Sequence, residues 1–268
     1  MRPINNVEEL KRVQMDIMTF VDKFCREHNI CYSISGGTLI GAIRHGGYIP
    51  WDDDIDILLR REDYDRLVNA FLEKDTGKYV IYQYGVTKGY NLPYVKIADS
   101  STVLNEPGVR GDFGINIDVF PFDHIAVDKQ KITSIYCKAK NLINKHGIKL
   151  MEWRKGRSFH KNLILMLGKI VLFPISILTY VEKIDKLARN AGPKDSPLRA
   201  CIVWGYGEKE VMDASIFDEY YDIKFEDRTF MAIKKYDEYL THLYGDYMKL
   251  PPLEKQVSHH DFTAWWKD

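Results

Sequence analysis

Residues Trp51-Asp52-Asp53-Asp54-Ile55-Asp56-Ile57 constrain this chain more than any other stretch. Four carboxylates in five positions repel one another, and gathering them on a folded chain is costly unless a cation neutralises them. A fully solvated acidic turn would escape that cost. Here Trp51 on one side and Ile55, Ile57 and Leu58 on the other frame the acids with apolar residues, which argues for partial burial. The run Asp54 to Leu59 alternates and then turns apolar, so it predicts a core strand on which Asp54 and Asp56 project from one face. Hard oxygen ligands on one face suit Mg²⁺ or Mn²⁺, with water and substrate phosphate filling the remaining positions.

Two further elements belong with this cluster. Ile30-Cys31-Tyr32-Ser33-Ile34 is a short β-prone run that stops at Gly36-Gly37, and a helix is expected from Thr38 to Arg44. A strand ending in two glycines before a helix lets a phosphate approach the backbone, where the helix N-terminus adds its dipole and free N–H groups; Ser35, Gly36, Gly37 and Thr38 are the candidates. Asp118 lies in Ile115-Asn116-Ile117-Asp118-Val119-Phe120, an otherwise apolar strand pattern with Asn116 on the same face. A buried carboxylate requires a partner, either a metal shared with Asp54 and Asp56 or a basic side chain.

The rest of the chain reads as a mixed α/β (α+β) core flanked by helices, then a helical block, then a short mixed tail. Asn6 and Glu9 make a capping box ahead of an amphipathic helix that ends near His28. Helix is expected over Arg61 to Phe71, and strands over Tyr79 to Tyr84, Leu92 to Ile97, Arg199 to Trp204 and, briefly, Asp222 to Phe225. A closing helix is expected over Phe230 to Leu243. The divisions follow as a catalytic core over 1–128, a helical subdomain over 129–195 and a C-terminal segment over 196–268 completing the core and the acceptor side.

Charge balances at 38 basic and 38 acidic residues, which disfavours a nucleic-acid partner. The four cysteines are scattered, with no metal-ligand spacing, and read as reduced, mostly buried thiols. No apolar segment follows Arg2, so the expected location is cytoplasmic. Leu163 to Tyr180 is long and apolar, but Lys169 and Pro174 interrupt it. It predicts either a buried helical hairpin or a helix pair in a membrane interface, where the basic lead-in Arg154, Lys155, Arg157, His160 and Lys161 would meet anionic headgroups on the inner face of the plasma membrane.

The glycine turn, the paired acids and the later lone acid follow the nucleotidyltransferase-superfamily pattern. Gly37 to His45, Gly47 to Asp56, Arg61-Glu62-Asp63-Tyr64, Lys96-Ile97 with Thr102, Ile117 to Pro121, Tyr244 to Met248 and Leu250-Pro251-Pro252 give the chain a closer likeness. It resembles the LicD family of phosphotransferases, related to the fukutin group, most weakly over 129–195. The resemblance implies a nucleotidyltransferase-like fold and a phosphotransferase of the CDP-alcohol:glycan type. The implied reaction moves a phosphocholine-type group from CDP-choline to a sugar hydroxyl of a cell-surface glycan such as teichoic acid or lipopolysaccharide, with release of CMP. The acceptor would be lipid-linked.

On this reading Asp54 and Asp56 hold Mg²⁺ (or Mn²⁺) against the donor pyrophosphate, with Asp52 and Asp53 as accessory ligands or loop-shaping residues. Asp118 joins the metal and helps deprotonate the acceptor hydroxyl. Arg44 and Lys96 are candidates for the charge developing on CMP, against ordinary surface pairing. A choline headgroup would call for aromatic side chains, with Tyr48, Trp51, Trp204 and Tyr206 as candidates against core packing. His259-His260 reads as a flexible tail or an acceptor contact. The same three acids would also serve nucleotidyl transfer from an NTP, and a non-catalytic binder of nucleotide or glycan is the alternative of a different class.

Overall fold

Asn6 caps the first helix as the capping box requires, its Oδ1 accepting the Glu9 N–H at 2.7 Å. The computed structural model describes residues 1–105, 111–151, 158–257 and 263–267. Strand β1 (Arg2–Ile4) precedes α1 (Val7–Glu27), whose apolar face is buried from Leu10 to Cys25. Then come β2 (Ser33–Ile34), α2 (Gly36–His45), β3 (Asp56–Arg60), α3 (Arg61–Glu73), β4 (Tyr79–Tyr82), β5 (Val95–Asp99), β6 (Thr102–Asn105) and β7 (Asn116–His124). Three helices follow: α4 (Lys129–Leu150), α5 (Phe159–Leu172) and α6 (Ile177–Arg189). The chain closes with β8 (Leu198–Ala200), β9 (Met212–Asp213), β10 (Tyr220–Phe225), β11 (Arg228–Ile233), α7 (Tyr236–Tyr244) and β12 (Thr263–Trp266).

The main sheet runs β2-β3-β7-β5-β4, extended by β8 on β7 and β9 on β8. Only β3 and β7 are parallel, and α3 lies in the connection between them, packed against both. Ile55, Ile57, Leu59, Ile97, Ile117, Val119 and Phe122 are buried in it. Pro121 stands in mid-strand of β7 without an N–H to give. It is accommodated because β5 pairs no further than Val119 and β8 pairs only from Asp123. A second sheet, β1-β12-β6, joins the two ends of the chain. The third is the β10–β11 hairpin, whose Glu226 turns at φ 55.

The structure is the mixed α/β fold expected, with several boundaries moved. The β-prone run 30–34 forms a strand only at Ser33–Ile34, because the chain is still leaving α1: Asn29 is left-handed at φ 51 and the Ile30 N–H bonds Cys25 O at 2.9 Å. Helix α2 starts at Gly36 rather than Thr38, and β3 starts at Asp56 rather than Asp54. The expected closing helix over 230–243 is a correction: Phe230–Ile233 belongs to β11, and helix begins only at Tyr236. Phe230, Ala232 and Ile233 bury themselves by pairing with β10, and that sheet partner decides the conformation over local propensity. Of the four thiols, Cys25 and Cys201 are buried, Cys31 is half-buried and Cys137 is exposed.

The two helices that carry the apolar segment 163–180 differ in burial. Helix α6 turns Tyr180, Val181, Ile184 and Ala188 into the core, whereas α5 buries only Asn162 and Leu165. The two helices meet at 81°, and among the described residues no single helix is long and apolar enough to cross a membrane.

Candidate active site

The ladders of β3, β7 and β5 bring three charged residues into one row. Parallel register sets Asp56 beside Asp118, and antiparallel register sets Lys96 on the other side of Asp118. Side chains at paired positions emerge on the same face, so the row is a property of the sheet. Lys96 Nζ lies 2.8 Å from Asp118 Oδ1 and donates to Asn116 Oδ1 at 3.0 Å. This supplies the basic partner that a lone acid in an apolar strand requires.

Helix α2 aims its N-terminus at the same place. The Ser35 N–H donates to Asp56 O at 2.9 Å, and Thr38 Oγ1 accepts the Asp56 N–H at 2.9 Å. Gly36 has φ +53, and a Cβ there would stand 3.4 Å from Asp56 Oδ2; a Cβ on Gly37 would stand 2.6 Å from Asp52 Oδ2. The two glycines therefore keep backbone within reach of two carboxylates. Ser35 is buried and its hydroxyl does not cap the helix. The helix end already faces anions, which its dipole favours. A phosphate entering here would meet Asp52 and Asp56 as well, so its approach needs a cation between them.

The electrostatics point the same way. The Asp56 carboxyl is pushed well above the ordinary carboxylate range, by burial first and then by the negative charges of Asp54, Asp118 and Asp52, with Lys96 opposing. Oxygen donors that raise one another's proton affinity suit a hard divalent cation. They are not yet a closed ligand shell. Among the described residues no three Asp, Glu, His or Cys side chains converge on one ligating point, and Lys96 engages one oxygen of Asp118. By donor chemistry the residue types fit Mg²⁺ or Mn²⁺.

Other candidates fall elsewhere. Arg44 donates through Nη1 to Tyr247 O at 2.8 Å and its Nε contacts His45, tying the far end of α2 to the segment after α7. Trp51 packs edge-on to His45, with centroids 6.2 Å apart. Asp53 is buried, and Gln14 Nε2 donates to its carbonyl oxygen at 2.9 Å. Tyr48 is a core residue, its ring 5.0 Å from that of Phe225. Trp204 and Tyr206 are both exposed. His259-His260 and Arg154, Lys155 and Arg157 lie outside the described residues.

Two tyrosines of α7 enter the site without having been singled out for it. The Tyr239 hydroxyl faces the Gly36 backbone, which partly offsets the effect of burial on it, and Tyr244 Oη would lie 3.6 Å from a Cβ on Gly36. Burial pushes both phenols up. The Tyr244-Gly245-Asp246-Tyr247 stretch carries family likeness, and that was the available signal for Tyr244.

Comparison with known proteins agrees with this geometry. Residues 29–170, more than half of the chain, match the family model for the LicD/FKTN/FKRP nucleotidyltransferase domain. The lipopolysaccharide cholinephosphotransferase LicD of Haemophilus influenzae is 29% identical over 267 residues, covering 97% of each chain. Shorter matches join the chain to uncharacterized proteins of two Rickettsia species. One, from R. typhi, is 41% identical over 58 residues (21% of this chain, 19% of that protein). The other, from R. prowazekii, is 47% identical over 47 residues (18% of each).

Proposed function

Because the chain belongs to the LicD/FKTN/FKRP nucleotidyltransferase family, we propose that it transfers phosphocholine from CDP-choline to a sugar hydroxyl of a cell-surface glycan, releasing CMP. The observation that carries this reading is the row Asp56–Asp118–Lys96 beside the glycine-initiated end of α2. The acceptor oxygen forms a bond to the phosphorus that bears the alcohol, and the bond from that phosphorus to the oxygen bridging to CMP breaks. Asp118 takes the hydroxyl proton. Lys96 steadies Asp118 and places positive charge beside the phosphate. The N-terminal amides of α2 hold donor phosphate oxygens, and Asp54 and Asp56, with Asp52 nearby, would hold a metal. A bound Mg²⁺ or Mn²⁺ supplies charge neutralisation between the acids and the donor pyrophosphate. The lipopolysaccharide named for the Haemophilus relative makes a glycan of that class the first acceptor to test.

The test is incubation with Mg²⁺ and a panel of CDP-alcohols, with nucleotide products resolved by chromatography. CMP release that disappears in Asp56→Asn supports the reading. Pyrophosphate released from an NTP, with no CMP from any CDP-alcohol, overturns it.

A lipid-linked acceptor also gives α5 a role at the membrane. Phe159, Ile164, Leu167, Ile170, Val171 and Phe173 are all exposed, and no Asp or Glu occurs from Phe159 to Val181. With 14 residues, α5 is about 21 Å long. That suits lying in an interface, and His160, Lys161 and Lys169 suit anionic headgroups. Flotation with phosphatidylglycerol vesicles is expected, and loss of it in an Ile164→Ser/Ile170→Ser/Phe173→Ser variant. Equal recovery of both proteins in the vesicle fraction excludes α5 as the contact.

A further inference from the structure

Trp204 and Tyr206 display two large rings to solvent, 53% and 57% exposed, from the loop that follows β8. Gly205 between them has φ +101, and any Cβ there would collide with the Glu210 carboxylate. Glu210 is buried and its Oε1 accepts the Tyr206 N–H at 2.9 Å. Exposed aromatics held on a fixed loop mark a binding surface more than a packing accident. The loop lines a groove of about 600 Å³ together with Tyr136, Lys140 and Ile143 of α4. That volume is in the range of small-molecule sites.

Both rings lead back to the acid row through one further side chain. The Trp204 ring packs edge-on to Tyr94 at 6.0 Å, and Tyr94 is two residues before Lys96. The Tyr206 ring packs edge-on to Tyr244 at 5.3 Å, and Tyr244 Oη borders Gly36, beside Asp56. The loop is thus joined to the site by two ring contacts, one on its lysine side and one on its glycine side.

We propose that Trp204 and Tyr206 form the subsite for the quaternary ammonium of the donor alcohol, with Glu208 adding negative charge to the same wall. This rests on the phospho-alcohol reading above and names the part of the site that selects the alcohol. A trimethylammonium group has no N–H to donate, so hydrogen-bond acceptors discriminate it poorly. Aromatic faces and a nearby carboxylate are what attract it. In phosphocholine only two carbons separate phosphate oxygen from ammonium, so the cation site must adjoin the phosphate site. Tyr244 supplies that adjacency. Lys140, on the α4 wall, repels the cation and confines it to the loop.

Calorimetric titration with CDP-choline, CDP-ethanolamine and CMP, in Mg²⁺ without acceptor, tests the assignment. The wild type is expected to prefer CDP-choline over CDP-ethanolamine. Trp204→Ala and Tyr206→Ala should each erode that preference about tenfold while leaving CMP affinity unchanged. Trp204→Phe should retain most of it. Both side chains are exposed, and circular dichroism checks that the variants stay folded. Unchanged preference in both alanine variants, or a parallel loss of CMP affinity, overturns the subsite and leaves the transfer reading standing. A wild type that binds neither CDP-alcohol nor releases CMP from one overturns both.

Discussion

Asp56 and Asp118 stand side by side on parallel strands, and Lys96 pairs with the second of them, 2.8 Å from its Oδ1. The asymmetry gives two adjacent carboxylates different characters. Asp118 has Lys96 as its ion-pair partner. Asp56 has burial and three like-charged neighbours, and its proton affinity is raised accordingly.

Replacing Asp56 by Asn should act in opposite directions on activity and stability. Turnover should fall by at least about 10²-fold, as for loss of a positioned electrostatic group. Without metal, stability should rise. A carboxyl whose folded-state pKa is raised binds its proton more readily in the folded chain than in the unfolded one, so its contribution is favourable below the ordinary carboxylate range and is lost as pH rises through the elevated value. At neutral pH the uncharged Asn is spared that loss. Thermal melts in EDTA at pH 7.5 should show a higher Tm for Asp56→Asn, and a lower one would refute the repulsion argument.

Two glycines of α2 should respond differently to Ala. A Cβ on Gly41 would collide with the backbone carbonyl of Gly47 and stand 3.2 Å from Ile49 N, neither of which is a flexible side-chain end. Gly41→Ala should cost about 3 kcal/mol or more, read as a shifted urea midpoint. On Gly37 the obstacle is the Asp52 carboxylate at 2.6 Å, which can rotate away. Gly37→Ala should stay within about 1 kcal/mol of wild type yet weaken CDP-choline binding, because the methyl fills the approach to the α2 amides.

Much of this site was legible in the sequence because it is local. The acid cluster, the glycine pair and the lone Asp118 each announced themselves through polar residues in apolar frames. Lys96 was legible as a candidate for the charge on CMP, but its place opposite Asp118 depends on strand order, β5 against β7, which no local pattern encodes. Trp204 and Tyr206 stood among the aromatic candidates, but their ring contacts with Tyr94 and Tyr244, like the approach of Tyr244 to Gly36, join residues far apart in the chain. The strand at Phe230–Ile233 was hidden because four apolar residues beside a helix read equally as its first turn until β10 pairs with them.

A buried ion pair supports the sheet behind the site. Arg61 Nε and Nη2 donate to the two oxygens of Asp123 at 2.6 and 2.8 Å, and Asp185 of α6 lies 3.1 Å from Arg61 Nη1. The pair clamps α3 and α6 to the end of β7. Arg61→Met leaves Asp123 and Asp185 buried beside each other without that guanidinium, and should cost about 3–5 kcal/mol. Arg61→Met/Asp123→Leu should recover part of the loss. Urea unfolding of the three proteins checks this, and a double variant no more stable than Arg61→Met alone would locate the cost in packing instead.

Glu210 gives the aromatic loop a pH signature of its own. Burial pushes its carboxyl up to about 7 from an ordinary 4.5, although the Tyr206 N–H partly offsets this. Protonation is thus favoured in the folded state, and stability should decline as pH rises from about 4.5 to about 7 and level off above. The full decline is on the order of 3 kcal/mol. Glu210→Gln preserves an oxygen for the Tyr206 N–H without the charge. The variant should match wild type near pH 4.5 and exceed it at pH 8, with the gap opening between those values. Parallel stability profiles across that range would mean that Glu210 is as readily ionised in the folded chain as in the unfolded one, and that the loop is held by something other than a desolvated acid.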